Sequence, residues 1–232
     1  MPSVPFLWAM HLWWALWRNW VLRCSGKYPN LKSKFKADLS KEKQLTHLLD
    51  SYYQKHLKQY CFERISNLKK QLQGIDLILK DKNSGKRFFV DEKAQLDYVN
   101  ESLPTFAFEL FYQKEGIKKQ GWLFDASKKT QFYALITSIY SDEDDVFTSC
   151  NITFVNREKL IQHLDGVGLS QKGLEQIISK KQNKHGKLTL EQLNPKSEGY
   201  LFFSMKNKAE KPVNLVLKLD YLIRIGVSKR LI

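Results

Sequence analysis

Asp76, Asp91 and Lys93 are the residues of this chain best suited to chemistry. Asp76 stands in Gly74-Ile75-Asp76-Leu77-Ile78-Leu79, and the other two in Val90-Asp91-Glu92-Lys93. Apolar runs from Ile75 to Lys80 and from Arg87 to Ala94 read as strands, and Lys82-Asn83-Ser84-Gly85 between them is turn chemistry, so a β-hairpin is expected. Side chains alternate along a strand, which puts Phe89, Asp91, Lys93 and Gln95 on one face and turns Glu92 to the other. Antiparallel pairing would bring Asp76 opposite the end of the second strand. Two converging carboxylates repel unless a cation lies between them. Hard oxygen ligands suit Mg²⁺ or Mn²⁺. A metal of that kind lowers the pKa of a bound water and stabilises charge on a phosphoryl oxygen, while Lys93 orients the water or neutralises developing charge. The carbonyl of Glu92 is a third candidate ligand. The competing reading is a solvated hairpin tip. Against it, both strands are crowded with apolar residues, where charge is costly without a purpose.

The order of a helix, Gly-x-Asp on a strand and Asp-x-Lys on the next resembles the PD-(D/E)xK, or restriction-endonuclease-like, nuclease superfamily. Asp76 matches the first acid, Asp91 the second and Lys93 the lysine. The likeness spans roughly residues 41 to 140. Ile75 stands where the proline of the family name would be, and the acid before x-Lys is Asp rather than Glu, which the pattern allows. The resemblance implies an α/β fold with an αβββαβ core, a central mixed sheet flanked by helices, and Mg²⁺-dependent hydrolysis of phosphodiester bonds, most often in DNA. It also implies a further acid on the helix before the first strand. Glu42 is the best candidate and Glu63 the alternative; Glu42 would otherwise serve the helix dipole. A non-catalytic nucleic-acid-binding protein that keeps the fold is the alternative function.

The positioning elements follow from periodicity. Leu45, Leu48, Leu49, Tyr52, Tyr53, Leu57 and Tyr60 recur at helical spacing, predicting an amphipathic helix from Lys41 to Tyr60 with Ser40 as N-cap. His47 and His56 fall on its flanks, and no His/Cys spacing matches a zinc pattern. Leu96 to Pro104 reads as a loop. Thr105 to Phe111, Gly121 to Asp125 and Gln131 to Tyr140 read as strands. Glu109 is a lone acid among aromatics, either an additional site residue or an edge residue facing water. Lys128 and Lys129 at a turn, and Gln95 on the Asp91 face, are candidate nucleic-acid contacts.

Asn156 is expected to cap a helix to Leu164, and Ser170 a second helix through Lys181. The Gly-Val-Gly turn between them is either a helix-hairpin-helix element or a plain interhelical turn. Lys180 to Lys187 reads as a basic loop. Tyr200 to Met205 and Val213 to Leu217 read as strands, followed by a short helix from Asp220 to Ile225. The expected organisation is a Trp-rich segment over 1–28, a nuclease-like core over 29–150 and a C-terminal α+β extension over 151–232.

Charge fits a nucleic-acid partner: 38 basic against 24 acidic residues give +14 and a pI near 9.5. A hydrophobic share of 43% argues for a folded core rather than disorder. Five of the six tryptophans lie between Pro5 and Cys24. His11, Arg18 and Asn19 interrupt that stretch, and no basic residue precedes it as in a secretory signal. It reads first as a tail or a misassigned start, and second as an interfacial membrane anchor. Three scattered cysteines, Cys24, Cys61 and Cys150, offer no disulfide framework and suit a cytoplasmic setting.

Overall fold

The computed structural model describes residues 31–143, 146–181, 184–205 and 210–232, with side chains from residue 44 onward. The tryptophan-rich segment, and the reading of it as tail or anchor, lies outside the described residues. The fold is mixed α/β with two sheets. One has six strands, in the order β1 (Tyr60–Arg64), β2 (Leu77–Asp81), β3 (Arg87–Ala94), β6 (Phe132–Glu143), β7 (Val146–Asn156) and β11 (Ser228–Arg230), and the other five, in the order β5 (Ile117–Gln120), β4 (Thr105–Lys114), β10 (Val213–Lys218), β9 (Gly199–Phe203) and β8 (Gly186–Leu188). The chain forms two compact units. Of the described residues, the first comprises those over 31–102, 129–152 and 231–232, and the second those over 103–128 and 153–230. Among the described residues, no helix is long and apolar enough to cross a membrane.

The first unit opens with helix α1 (Leu31–His56), which carries Leu45, Leu49 and Tyr53 into the core at four-residue spacing. The helix already runs through Ser40, so Ser40 is not its N-cap. Serine is only mildly unfavourable inside a helix, and the longer element overrides the local capping preference. Tyr60 leaves the helix for strand β1 (Tyr60–Arg64), and the short helix α2 (Leu68–Leu72) follows under an Asn67 cap. Gly74, at φ +73°, turns the chain out of α2 towards Asp76 in a conformation that glycine adopts at least cost.

Strands β2 (Leu77–Asp81) and β3 (Arg87–Ala94) form the expected antiparallel hairpin. Its turn is held by Asp81 Oδ1, which accepts from the Asn83 and Ser84 amides at 3.0 and 2.7 Å and from the Ser84 hydroxyl at 2.8 Å. Those bonds hold the Asp81 carboxyl below its ordinary range. After a 3₁₀ turn at Leu96–Tyr98, the chain returns as β6 (Phe132–Glu143), which pairs with β3 in parallel, and continues as β7 (Val146–Asn156). The parallel pairing buries β3 between β2 and β6, in the interior of the sheet.

Between β3 and β6 the chain supplies β4 (Thr105–Lys114) and β5 (Ile117–Gln120) to the second sheet. Gly121 to Asp125 is not a strand. Those residues form turns, with a Cβ at Gly121 placed only 2.3 Å from the Glu109 carbonyl oxygen, so only glycine fits that close backbone approach. The rest of the second unit is helices α3 (Arg157–Gly166) and α4 (Gln171–Ser179), strands β8 (Gly186–Leu188), β9 (Gly199–Phe203) and β10 (Val213–Lys218), helix α5 (Leu219–Arg224) and strand β11 (Ser228–Arg230). Asn156 and Ser170 cap α3 and α4 as expected, accepting from the Lys159 and Gly173 amides at 3.0 and 3.1 Å. The end of the basic stretch is β8 rather than loop, because Gly186, Lys187 and Leu188 pair with Phe203, Phe202 and Leu201.

Helix α1 is tied to the sheet by one polar cluster. Glu92 Oε1 accepts from the Tyr53 hydroxyl at 2.7 Å, and Glu92 Oε2 takes Arg64 Nη1 at 2.6 Å. Arg64 Nε reaches Asp50 at 2.6 Å. The Glu92 side chain is 2% exposed, so its charge depends on those partners. Replacing Arg64 by Met is expected to cost about 3 kcal/mol, the scale for orphaning one member of a buried pair. Urea unfolding measures it, and a second change, Glu92→Gln, should recover much of the loss.

Candidate active site

β3 presents consecutive acids to opposite faces. Glu92 faces α1, together with Arg64 of β1. Asp91 and Lys93 face the other way, in register with Tyr133 and Leu135 of β6. Asp76 reaches the same place through the end of the β2 ladder. Leu77 is the registered partner of Val90, yet the Asp76 amide also donates to the Val90 carbonyl, at 2.9 Å. Two consecutive residues thus address one, an arrangement like that of a β-bulge, just before β2 begins. The Asp76 carboxylate then takes over as acceptor: its Oδ2 receives the Glu92 amide at 2.9 Å. The backbone of Glu92 and the side chain of Asp76 are therefore joined, while the Glu92 side chain is held on the far face.

Asp76, Asp91 and Lys93 lie together. Lys93 Nζ is 2.5 Å from Asp91 Oδ1, with the Asp91 side chain 3% exposed and that of Lys93 24%. The Asp76 carboxyl lies close enough to Asp91, Lys93 and Glu92 to feel the charge of each. Burial pushes the Asp76 carboxyl well above its ordinary value, the neighbouring Asp91 charge pushes it further, and Lys93 offsets only part of this. The buried Asp91 carboxyl beside the half-buried Asp76 carboxyl makes a second negative charge there unfavourable without a cation. Hard oxygen donors of that kind fit Mg²⁺ or Mn²⁺, which bind through one or two carboxylates and retain several waters.

The other candidates divide. Gln95 follows β3, half-buried, with its amide donating to the Ile136 carbonyl at 3.0 Å. The Lys129 amide donates to the Gln73 carbonyl at 2.7 Å, and the Thr130 hydroxyl to the Gly74 carbonyl at 2.8 Å, so Lys129 stands beside the segment that delivers Asp76. Lys128 belongs to the second unit, where its amide bonds to Asp125. Glu109 also lies there, half-buried on β4 opposite Asn214. Glu63 is exposed on β1, opposite Ile78. Glu42 falls within α1, and its side chain is outside the described residues. The described contacts of α1, through Asp50 and Tyr53, are to the Glu92 face. Among the described residues, no group of three or more His, Cys, Asp or Glu side chains forms a metal cluster.

Sequence reasoning missed the groups that immobilise β3. Asp50 and Tyr53 sit three apart on one helix face, and Arg64 closes a short alternating strand; that pattern is a visible signal for a buried charge partner. The cluster perturbs its own members. Burial, then Glu92, raises the Tyr53 hydroxyl. Burial opposes the charge on Arg64, but Glu92 and Asp50 outweigh it and the guanidinium is stabilised. Cys150 on β7 is pushed up to about 12, by burial first and the Glu92 charge second.

Comparison with protein-family models, with curated proteins and with solved structures finds no match.

The raised Asp76 carboxyl sets a pH dependence. A group whose folded pKa exceeds its unfolded value near 3.9 stabilises the fold below that value, and the contribution is lost as pH rises through the folded pKa. Metal-free protein should therefore melt at progressively lower temperature across that rise. Asp76→Asn should flatten the slope and melt higher at neutral pH. Millimolar MgCl₂ or MnCl₂ should raise the melting temperature of the unmodified protein and not of Asp76→Asn. Calorimetry across pH, with and without the ion, reads all three.

Proposed function

We propose that the chain is a metal-dependent nuclease that hydrolyses phosphodiester bonds, most readily in DNA, on a restriction-endonuclease-like core. One observation carries the reading: Asp91 and Lys93 pair at 2.5 Å on one face of an interior strand, and the Asp76 carboxyl is anchored to that strand by the Glu92 amide at 2.9 Å. A structural ion pair needs one carboxylate, and the second is costly in a buried site unless a cation joins it.

Asp76 and Asp91 would hold Mg²⁺ or Mn²⁺, with the Glu92 carbonyl as a further oxygen donor. The ion would supply Lewis-acid stabilisation of the phosphoryl oxygen and a more acidic water. Lys93, partly open to solvent beside Asp91, hydrogen-bonds the attacking water and offsets the charge that develops on phosphate. Asp76 would have to be ionised to hold the cation, and its raised pKa means that loading would be favoured by rising pH. Tyr53 and Arg64, by locking Glu92, fix the strand that carries Asp91 and Lys93. Gln95, two residues beyond Lys93, and Lys129, bonded through its amide to the segment that delivers Asp76, are candidates to meet substrate phosphates. The overall charge of +14 favours a polyanion. A cytoplasmic setting fits the two described cysteines, Cys61 and Cys150, both free thiols.

A second reading is a nucleic-acid-binding protein without cleavage. It is favoured by the lack, among the described residues, of a third ligating side chain beside the two aspartates.

Plasmid and linear DNA incubated with Mg²⁺ or Mn²⁺ separate the two. Asp91→Ala and Lys93→Ala are each expected to lower the cleavage rate by roughly a hundredfold to a thousandfold, the scale for removing one transition-state-stabilising group, with circular dichroism unchanged. Full cleavage by a purified Asp91→Ala/Lys93→Ala double variant removes the nuclease reading. Salt-sensitive DNA binding by the unmodified chain, with no cleavage under either ion, establishes the second.

A further inference from the structure

One face of the five-stranded sheet carries aromatic and basic groups that the cleavage chemistry does not use. Strand β9 alternates buried Gly199, Leu201 and Phe203 with half-buried Tyr200 and Phe202. Pairing with β10 sets Val216 opposite Tyr200 and Asn214 opposite Phe202, and β4 extends the two rows with Ala107 and Glu109. On the other side, Lys187 of β8 is in register with Phe202. Its Nζ lies 4.1 Å from the centre of the Tyr200 ring and 3.4 Å from the Pro195 carbonyl oxygen. The His185 ring meets Phe202 edge to face, with centroids 6.3 Å apart. Lys218, half-buried at the end of β10, follows Val216 on the same face. All these residues belong to the second unit, which holds 19 basic and 10 acidic residues.

We propose that this face binds single-stranded nucleic acid, with Tyr200 and Phe202 stacking on successive bases while Lys187 and Lys218 meet the phosphates. Rings stack on any base, and a flanking cation draws in the backbone that joins the bases. Spacing selects the strandedness. Residues two apart on a strand are about 6.8 Å apart, twice the roughly 3.4 Å step along a duplex strand. Bases in a duplex are already stacked on each other and leave no gap for a ring, whereas an extended single strand does. Lysine poised over a ring also suits a polyanion better than an apolar peptide. The inference goes beyond the nuclease reading and stands or falls separately, because binding is measured without divalent ions.

The test uses the full chain in EDTA with fluorescein-labelled oligo(dT), read by anisotropy, beside a duplex of equal length. The single strand should bind more tightly. Tyr200→Ser should weaken that binding about tenfold, in line with the stacking contribution of one base, while Tyr200→Phe keeps it. Lys187→Gln should lower the slope of log affinity against log salt by about 0.7, the contribution of one phosphate contact on a single strand. Equal affinity for strand and duplex, normal binding by Tyr200→Ser, or preference for phosphatidylserine vesicles over oligo(dT) overturns the proposal. Photocrosslinking of a 5-bromodeoxyuridine oligonucleotide to the unmodified protein decides the matter even if Tyr200→Ser does not fold. Adducts on Tyr200 or Phe202 support the platform, and adducts found only elsewhere reject it.

Discussion

The ion pair between Glu92 and Arg64, joined by the Tyr53 hydroxyl, is the constraint on which the candidate site depends. A strand in the middle of a sheet has two buried faces, and β3 places a carboxylate on each. The two are handled differently. Glu92 is supplied with a guanidinium and a phenol and becomes a fixed structural charge. Asp91 is given one lysine and a second carboxyl group. Fixing Glu92 sets the phase of the strand, and a slip of one residue would exchange the two acids between the faces. The chemistry on one side is thus specified from the other.

Alternation carried most of what was legible in the sequence. The β3 span, the hairpin, the separation of Glu92 from Asp91 and Lys93, and the Asn156 and Ser170 caps all follow from side-chain period and local hydrogen-bonding chemistry. These are short-range properties that a sequence states directly. The start of α1 was not legible, because Ser40 resembles a cap wherever it stands and only the persistence of the helix decides. Gly121 to Asp125 has the composition of a strand, but Gly121 lies against the backbone of β4, a contact between distant residues that leaves no local mark. Strand β7 escaped notice because its polar alternation, Thr148 and Asn151 among apolar residues, is weak. β1 was hidden by the helical period of the residues before it.

The site shows the same limit. Residue types and spacing indicate which groups can meet, whereas the balance among them is a property of burial. That the Asp76 carboxyl is raised above its ordinary value follows from its removal from water and from Asp91, neither of which the motif alone reveals. Nor does the motif show that the Glu92 amide is bonded by Asp76, which makes the backbone of one acid the anchor of another.

The route of the chain between β3 and β6 has a consequence for synthesis. These neighbouring parallel strands are separated by residues that belong to the other unit, and neither unit is one continuous stretch. Strand β4 leaves the ribosome long before its central partner β10, so it waits with only β5 beside it, one backbone edge open and the apolar face of Phe106, Phe108 and Leu110 uncovered. Loop closure over that distance is slow, and an unpaired apolar edge is prone to the wrong partner. The second sheet therefore forms late in translation, and the yield of native protein should depend on how well that waiting strand is kept from its neighbours.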